Sequence, residues 1–407
     1  ADGPGGRVGL DPKNVTVRDG ASLPFVELLD PAPNPGERYD KVQPLPNGNL
    51  LVVEMGDDAA APNAGAVYLF DGTTGALIST LTGATAQDNV GLGPLALLAN
   101  GNAVVGSSSW DGAAADVGAA TWIDGSRGTS GVVSAANSLV GSTALDQVGN
   151  NGIVALTNGN YVVETVSWDN GAVADVGAAT FGNGTTGTVG AVSAANSLVG
   201  STASDKVGQS GLEALTNGNY VVATGEWNNG ATVDAGAATL GNGTTGTVGT
   251  ISAANSLVGT HASDLVGLDG VVPLAKGNYV VRSRKWRGIV NDGGAATFGN
   301  GTNGVVGPVS AANSLVGANA GDQIGSANVV ALANGNYVVP TPFWANGAAF
   351  FAGAVTFGDG TNGTVGPVSA ANSLVGTTSD DRVGNRVTPL ANGNYVVTSD
   401  LWNNGAV

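Results

Sequence analysis

Cysteine is absent from the 407 residues, which removes disulfides, thiolate metal sites and a cysteine nucleophile from consideration. Histidine occurs once, as His261, so a Ser-His-Asp relay would have to rest on one residue in a variable connecting segment. Charge is scarce at 11% of residues, and acidic side chains outnumber basic ones 31 to 14, for a formal net charge of −17. That balance argues against nucleic acid or an anionic membrane as partner, since both carry dense negative charge. No apolar run approaches the roughly 18 to 20 residues that a membrane-spanning helix needs, so no membrane insertion is expected. The N-terminus shows no signal-peptide pattern. The chain starts at Ala1 and its only Met is Met55, as in a processed secreted protein or an excised piece of a longer one.

What is present is glycine, at 67 residues, with much Asn, Thr, Ala and Val. This suits short strands and tight turns rather than helices. Disorder is the competing reading, but a disordered chain lacks regular apolar alternation, and here Val, Leu, Trp and Tyr recur at fixed positions.

The recurrence is a repeat. The tripeptide Asn-Gly-Asn stands at Asn47, Asn100, Asn158, Asn217, Asn334 and Asn392, with Lys276-Gly277-Asn278 as a variant. These seven copies lie 53 to 59 residues apart. An Asn-Gly pair between apolar runs is the strongest local hairpin signal and predicts a type I′ turn joining strands A and B. A second turn follows each hairpin, at Asp71, Asp124, Asn183, Asn242, Asn300 and Asp359, with a divergent copy at Asp19-Gly20. It joins a strand C (Gly-Ala-Ala-Thr-Phe or a relative) to a strand D (Asn-Ser-Leu-Val-Gly).

The two series are offset by half a repeat, because the chain opens on a C–D turn and closes on an A–B turn. The expected fold is an all-β, seven-bladed β-propeller of four-stranded antiparallel blades. It forms one domain over residues 1–407, with blades 1 to 6 within 40–380 and blade 7 split between 12–30 and 383–407. Closure would come from the N-terminal C–D strands, Val15 to Leu28, pairing beside the C-terminal A–B strands around Tyr395 to Trp402. An open solenoid cut at an arbitrary phase shows the same offset, although solenoid coils are usually shorter. The first full copy runs 13 residues from Gly75 to Asp88, where a later one runs 18 from Gly187 to Asp205. This places an indel in or beside the outermost strand.

An Asp precedes strand A in every repeat: Asp40, Asp88, Asp146, Asp205, Asp264, Asp322 and Asp381. A ring of carboxylates concentrating cations is one reading. A structural cap on the local loop backbone is the stronger one, since seven unpaired carboxylates would repel one another. The turns offer one Asp or Asn each, too few for a dedicated calcium loop, so no metal or cofactor is expected. Trp110, Trp168, Trp227, Trp286, Trp344 and Trp402 recur eight residues after the A–B turn, and Tyr161, Tyr220, Tyr279, Tyr337 and Tyr395 follow it directly. Such repetition predicts packing between sheets, with an aromatic carbohydrate platform as the sharper alternative.

Variation inside the frame singles out one copy. Lys276, Arg282, Arg284, Lys285 and Arg287 gather five of the fourteen basic residues into twelve positions, with His261 leading to them. This predicts a patch for an anionic glycan, a carboxylate or a partner subunit, against the plainer reading of a locally neutralised acidic rim. The Asn-x-Thr sequons arise mostly from turn chemistry and are not read as glycosylated.

The repeat carried by residues 131–407, with Asn-Gly-Asn-Tyr-Val-Val, a Trp, Gly-Asn-Gly-Thr-Thr-Gly and Ser-Ala-Ala-Asn-Ser-Leu-Val-Gly, resembles repeats of very large secreted bacterial proteins of the filamentous-haemagglutinin-like and adhesin type. The resemblance implies an exported, cell-surface bacterial protein and carries over no catalytic residue. The expected function is a non-enzymatic extracellular binding or adhesion module for a glycan or protein surface. The alternatives are a self-associating subunit of an extracellular filament or surface array, and a carbohydrate-active enzyme working with carboxylates.

Overall fold

The computed structural model describes residues 28–33, 38–288 and 290–403. Among them every regular element is a β-strand, so no helix is long and apolar enough to cross a membrane. The chain divides into two compact units. The described residues of the first run to Ala155 and include 159–168 and 182–192; the second holds Leu156–Asn158, Asp169–Phe181 and the described residues from Ser193 onward.

In each unit the repeat folds as one small sheet. In the fourth repeat, strand A is Leu212–Ala214, B is Tyr220–Thr224, C is Ala237–Gly241 and D is Ser256–Val258, paired antiparallel in that order. Strands B and C are central, and their apolar faces fill the core. A cluster of Leu215, Val221, Ala238, Leu257, Val281, Trp286 and Val309 joins this repeat to the next.

Local chemistry explains the repeated letters. Tyr220 pairs with Gly241 at the end of strand C, and a Cβ on that glycine would lie 2.1 Å from the tyrosine ring. The ring therefore needs glycine beneath it. The Thr of Ala-Ala-Thr and the Ser of Asn-Ser-Leu share a buried hydrogen bond, Thr239 Oγ1 to Ser256 Oγ at 2.7 Å. The A–B turn is not type I′. Gly218 N donates to Leu215 O and Leu215 N to Asn219 O, with positive φ at Gly218 alone. This is a type I turn followed by a left-handed glycine, a three-residue loop that matches strand twist equally well.

The blades are also not purely four-stranded and antiparallel. Between C and D the chain leaves its own sheet, and two residues pair in parallel with strand D of the preceding repeat. In the first unit Gly131–Val132 pairs with Leu77–Thr82 and Gly190–Ala191 with Leu139–Val140. In the second, Gly249–Thr250, Gly307–Pro308 and Gly366–Pro367 repeat the move on Ser197–Val199, Ser256–Val258 and Leu315–Val316. The short first copy passes from its turn at Asp71–Gly75 directly into strand D, so the indel removes this exchanged strand.

The last complete sheet has four strands, ending on Ser373–Val375, and after it stands the two-stranded hairpin Arg386–Pro389 and Tyr395–Thr398. The closing pair expected from Val15 to Leu28 involves residues 15–27, which lie outside the described residues, as do 12–14 of the split blade.

Candidate functional site

The recurring acids bind backbone amides. Asp205 is fully buried, and its Oδ2 accepts from Ser201 N and Thr202 N while Oδ1 accepts from Asn228 N. Asp88, Asp264, Asp322 and Asp381 do the same, binding two amides of their own loop and one just past the following Trp. Asp146 accepts from Ser142 N and Thr143 N. Asp40 differs, accepting from Met55 N. Burial pushes the Asp322 carboxyl above the ordinary range, against hydrogen bonds from Asn319, Ala345 and Ala318 that lower it. Among the described residues no group of three acids or histidines is placed to hold a metal ion.

Trp110, Trp168, Trp227, Trp286 and Trp344 are buried, so none offers a sugar platform. Trp402 is the exception, at 52% exposure.

The basic residues of the fifth repeat lie at both ends of strand B and along it. Lys276 sits in the A–B turn, before strand B at Tyr279–Ser283, while Arg284, Lys285 and Arg287 follow its far end. Arg282 lies along the strand and binds Gly325 O, Ser326 O and Asn328 Oδ1 of the next repeat. Arg284 pairs with Asp269 at 3.0 Å and Lys285 with Asp292 at 3.2 Å. His261 stands 3.5 Å from the buried Asp264, outside the cluster. Nearby carboxylates and carbonyls thus take up the charge of Arg282, Arg284 and Lys285.

A different cluster emerges at the end of strand B in the sixth repeat. The two residues between strand B and each Trp form the corners of a turn, closed by Trp N donating to a Thr or Ser carbonyl three residues back, as Trp344 N does to Thr341 O. Corner positions tolerate any side chain, and here they are Pro342 and Phe343. Phe343 packs edge-on against Phe351, with ring centroids 6.0 Å apart. Arg382 lies 5.9 Å over the Phe351 ring and pairs with Asp380 at 3.4 Å. Phe350 is 66% exposed and Phe351 42%. Arg382 and Asp380 also line a cleft of about 620 Å³ with Asp400, Leu401, Trp402 and Asn403.

Phe351 has a left-handed backbone, φ 54°. The matching positions in other repeats are Asn63, Asp116, Asp175, Asp234 and Asp292, all at φ 51–52°. Asn and Asp tolerate this conformation, whereas a bulky aromatic there is strained by about 1 kcal/mol or more. The sequence carried the signal, Ala-Phe-Phe-Ala-Gly against Thr-Val-Asp-Ala-Gly. It stayed hidden because only the backbone angle shows that the Asp is there for its conformation.

Comparison with known proteins gives a family and no activity. The family described as "Repeat of unknown function (DUF5650)" matches residues 97–150, 155–209, 214–268, 273–326, 331–385 and 389–407, and does not connect the chain with filamentous-haemagglutinin-like adhesins. No curated protein matches. Among solved structures, a 6-phosphogluconolactonase candidate from Bacteroides uniformis is 11% identical over 83% of this chain and 86% of its own, at a TM-score of 0.33. A protein of unknown function from Bacteroides caccae is 14% identical over 70% and 83%, at 0.26, and the designed protein Ika8 13% identical over 85% and 92%, at 0.27.

Proposed function

The chain belongs to the DUF5650 repeat family, and on that premise we propose that it is a non-enzymatic binding module acting at the bacterial cell surface. Its recognition face is the aromatic and charged cluster of the sixth repeat. The observation that carries this reading is Phe351. A repeat frame that supplies Asp or Asn at a left-handed position five times, and then puts a half-exposed Phe there, accepts strain for the sake of a surface aromatic. Exposed Phe350 and Phe351 offer faces for a sugar ring, and Asp380, Arg382 and Asp400 offer hydrogen bonds to its hydroxyls. A glycan is the ligand class this chemistry fits best. The invariant carboxylates serve the fold, which supports a role without catalysis.

The finer fold that goes with this function is a closed ring of seven blades. The lone hairpin Arg386–Thr398 needs two more strands, and residues 15–28 carry the sequence for them. A second reading, a structural subunit of an extracellular filament or array, draws on the outer edge of strand Ser373–Val375, which no strand covers among the described residues.

The test is a glycan array read with the parent chain and with Phe351→Asp. The substitution is expected to raise the thermal midpoint, relieving about 1 kcal/mol of strain, while weakening glycan binding at least about tenfold. No glycan signal for the parent, or Phe351→Asp binding as well as the parent, counts against this site.

A further inference from the structure

Asn-Gly pairs recur through the chain, and the repeat protects most of the described ones by occupying the groups that react in such a pair. In the A–B turn, Gly218 N donates to Leu215 O at 3.1 Å while Asn217 Nδ2 donates to Gly301 O at 2.7 Å. In the second turn, Asn242 Oδ1 accepts from Thr244 N and Thr245 N, and Gly243 N donates to Asn219 Oδ1 at 3.0 Å. After Asn303 and Asn362 the glycine amide is bound, Gly304 N to Asn300 O at 2.7 Å and Gly363 N to Asp359 O at 2.8 Å.

A third kind of turn lacks half of this protection. Past the Trp of the third, fourth and sixth repeats the residues Asn-Gly-Ala sit at the tip of a small hairpin, where Asn170 pairs with Val173, Asn229 with Thr232 and Asn346 with Ala349. Two main-chain bonds close each tip, and positive φ falls on the glycine alone, at 64°, 62° and 60°. This is the two-residue loop with glycine first, type II′. The three glycines are exposed, with open space around each Cβ position, and among the described residues their amides bind nothing.

The asparagine side chain separates the three tips. Asn229 Nδ2 donates to Gly259 O at 3.0 Å and Asn346 Nδ2 to Gly376 O at 2.9 Å, and both residues are half-buried. Asn170 is exposed, and among the described residues its side chain has no hydrogen bond. The carbonyl in the acceptor's place is Gly200 O. Gly200 N reaches Gly177 O only at 3.4 Å, where Gly259 N and Gly376 N hold Gly236 O and Gly353 O at 3.1 and 3.0 Å.

We propose that Asn170 is a site of spontaneous covalent modification, its side-chain amide replaced by a carboxylate through cyclisation onto Gly171. The Gly171 nitrogen attacks Asn170 Cγ and a C–N bond forms. The Cγ–Nδ2 bond breaks, and Nδ2 leaves as ammonia with the proton that Gly171 N gives up. Solvent water then opens the cyclic imide at one of its two carbonyls, leaving aspartate or isoaspartate. Glycine puts no Cβ in the path of attack, and the unheld Asn170 side chain is free to turn onto the neighbouring nitrogen. At Asn229 and Asn346 the bond to a glycine carbonyl must break first, which slows the step about tenfold. The new carboxylate would stand beside Asp169, whose Oδ1 accepts from Asp175 N at 2.8 Å across the same loop. In the isoaspartate product the main chain gains a methylene, which a two-residue turn cannot absorb while keeping the Asn170–Val173 pair.

The full chain, kept folded in mildly alkaline buffer and sampled over time by peptide mapping with mass spectrometry, tests the site. Asn170 is expected to convert at least about tenfold faster than Asn229 and Asn346, with isoaspartate and aspartate peptides separating by retention. A parallel sample in urea is expected to lose the ranking, because the three tips share the sequence Asn-Gly-Ala. Equal rates at the three positions in the folded chain overturn the proposal. So does an intact Asn170 when the urea sample has converted, and so does an unchanged ranking in urea, which would assign the selectivity to local sequence rather than to the missing bond.

Discussion

At the scale of the residue, glycine sets the tightest constraints, and it does so by two different means. Gly243 opens the second turn of its repeat, and its N–H donates to Asn219 Oδ1 at 3.0 Å while its carbonyl accepts from Asn158 of the preceding repeat at 2.6 Å. A Cβ there would fall 1.6 Å from Gly218 O. Gly230 has φ +62° and open space around its Cβ position. Gly243→Ala is therefore expected to cost about 3 kcal/mol through backbone displacement, and Gly230→Ala about 1 kcal/mol through the left-handed strain alone. Urea midpoints of the two variants check the order, and equal losses would show that the close approach is not maintained in solution. The sequence marked Gly243 as part of a turn and did not single out Gly230. It could not rank them, because the atom that forbids a side chain on Gly243 belongs to another turn 25 positions earlier.

At the scale of the element, strand B begins with a tyrosine in the third to sixth repeats, and burial raises the Tyr161, Tyr220, Tyr279 and Tyr337 phenols from 10 to about 12. The folded state thus holds these protons after the unfolded chain has released them. The stability linked to them is present in full below pH 10 and is lost as pH rises from 10 through about 12. Alkaline unfolding followed by circular dichroism, with tyrosinate absorbance alongside, should show these phenols ionising together with loss of structure. Tyr220→Phe should shift the alkaline midpoint upward relative to the neutral-pH stability of the same variant, and an unmoved midpoint would count against the linkage. Strands B and C were legible in Tyr-Val-Val and Ala-Ala-Thr-Phe because each alternates against its own neighbour. The exchanged strand was not, since Val-Gly-Pro-Val is two paired residues long and its partner lies one repeat away. The ion pairs of the basic run were not legible either, since Asp269 and Asp292, which take up Arg284 and Lys285, are set apart from it.

At the scale of the whole molecule, the repeats behave as a series in which each sheet is stabilised by its neighbours. Tyr220–Thr224 is buried along its length, whereas Tyr395–Thr398 alternates between half-buried and exposed in a two-stranded sheet. A hairpin of that kind is marginal alone. If residues 15–27 complete its sheet, the amides of Tyr395–Thr398 should be protected from hydrogen exchange within about tenfold of those in Tyr220–Thr224. Deleting residues 1–27 should then speed exchange at Tyr395–Thr398 at least about 30-fold, a loss of about 2 kcal/mol, and leave Tyr220–Thr224 unchanged. Fast exchange in the full chain that the deletion does not alter would show that the N-terminal segment is not the missing half of the seventh blade, and the repeats would then form an open series rather than a ring.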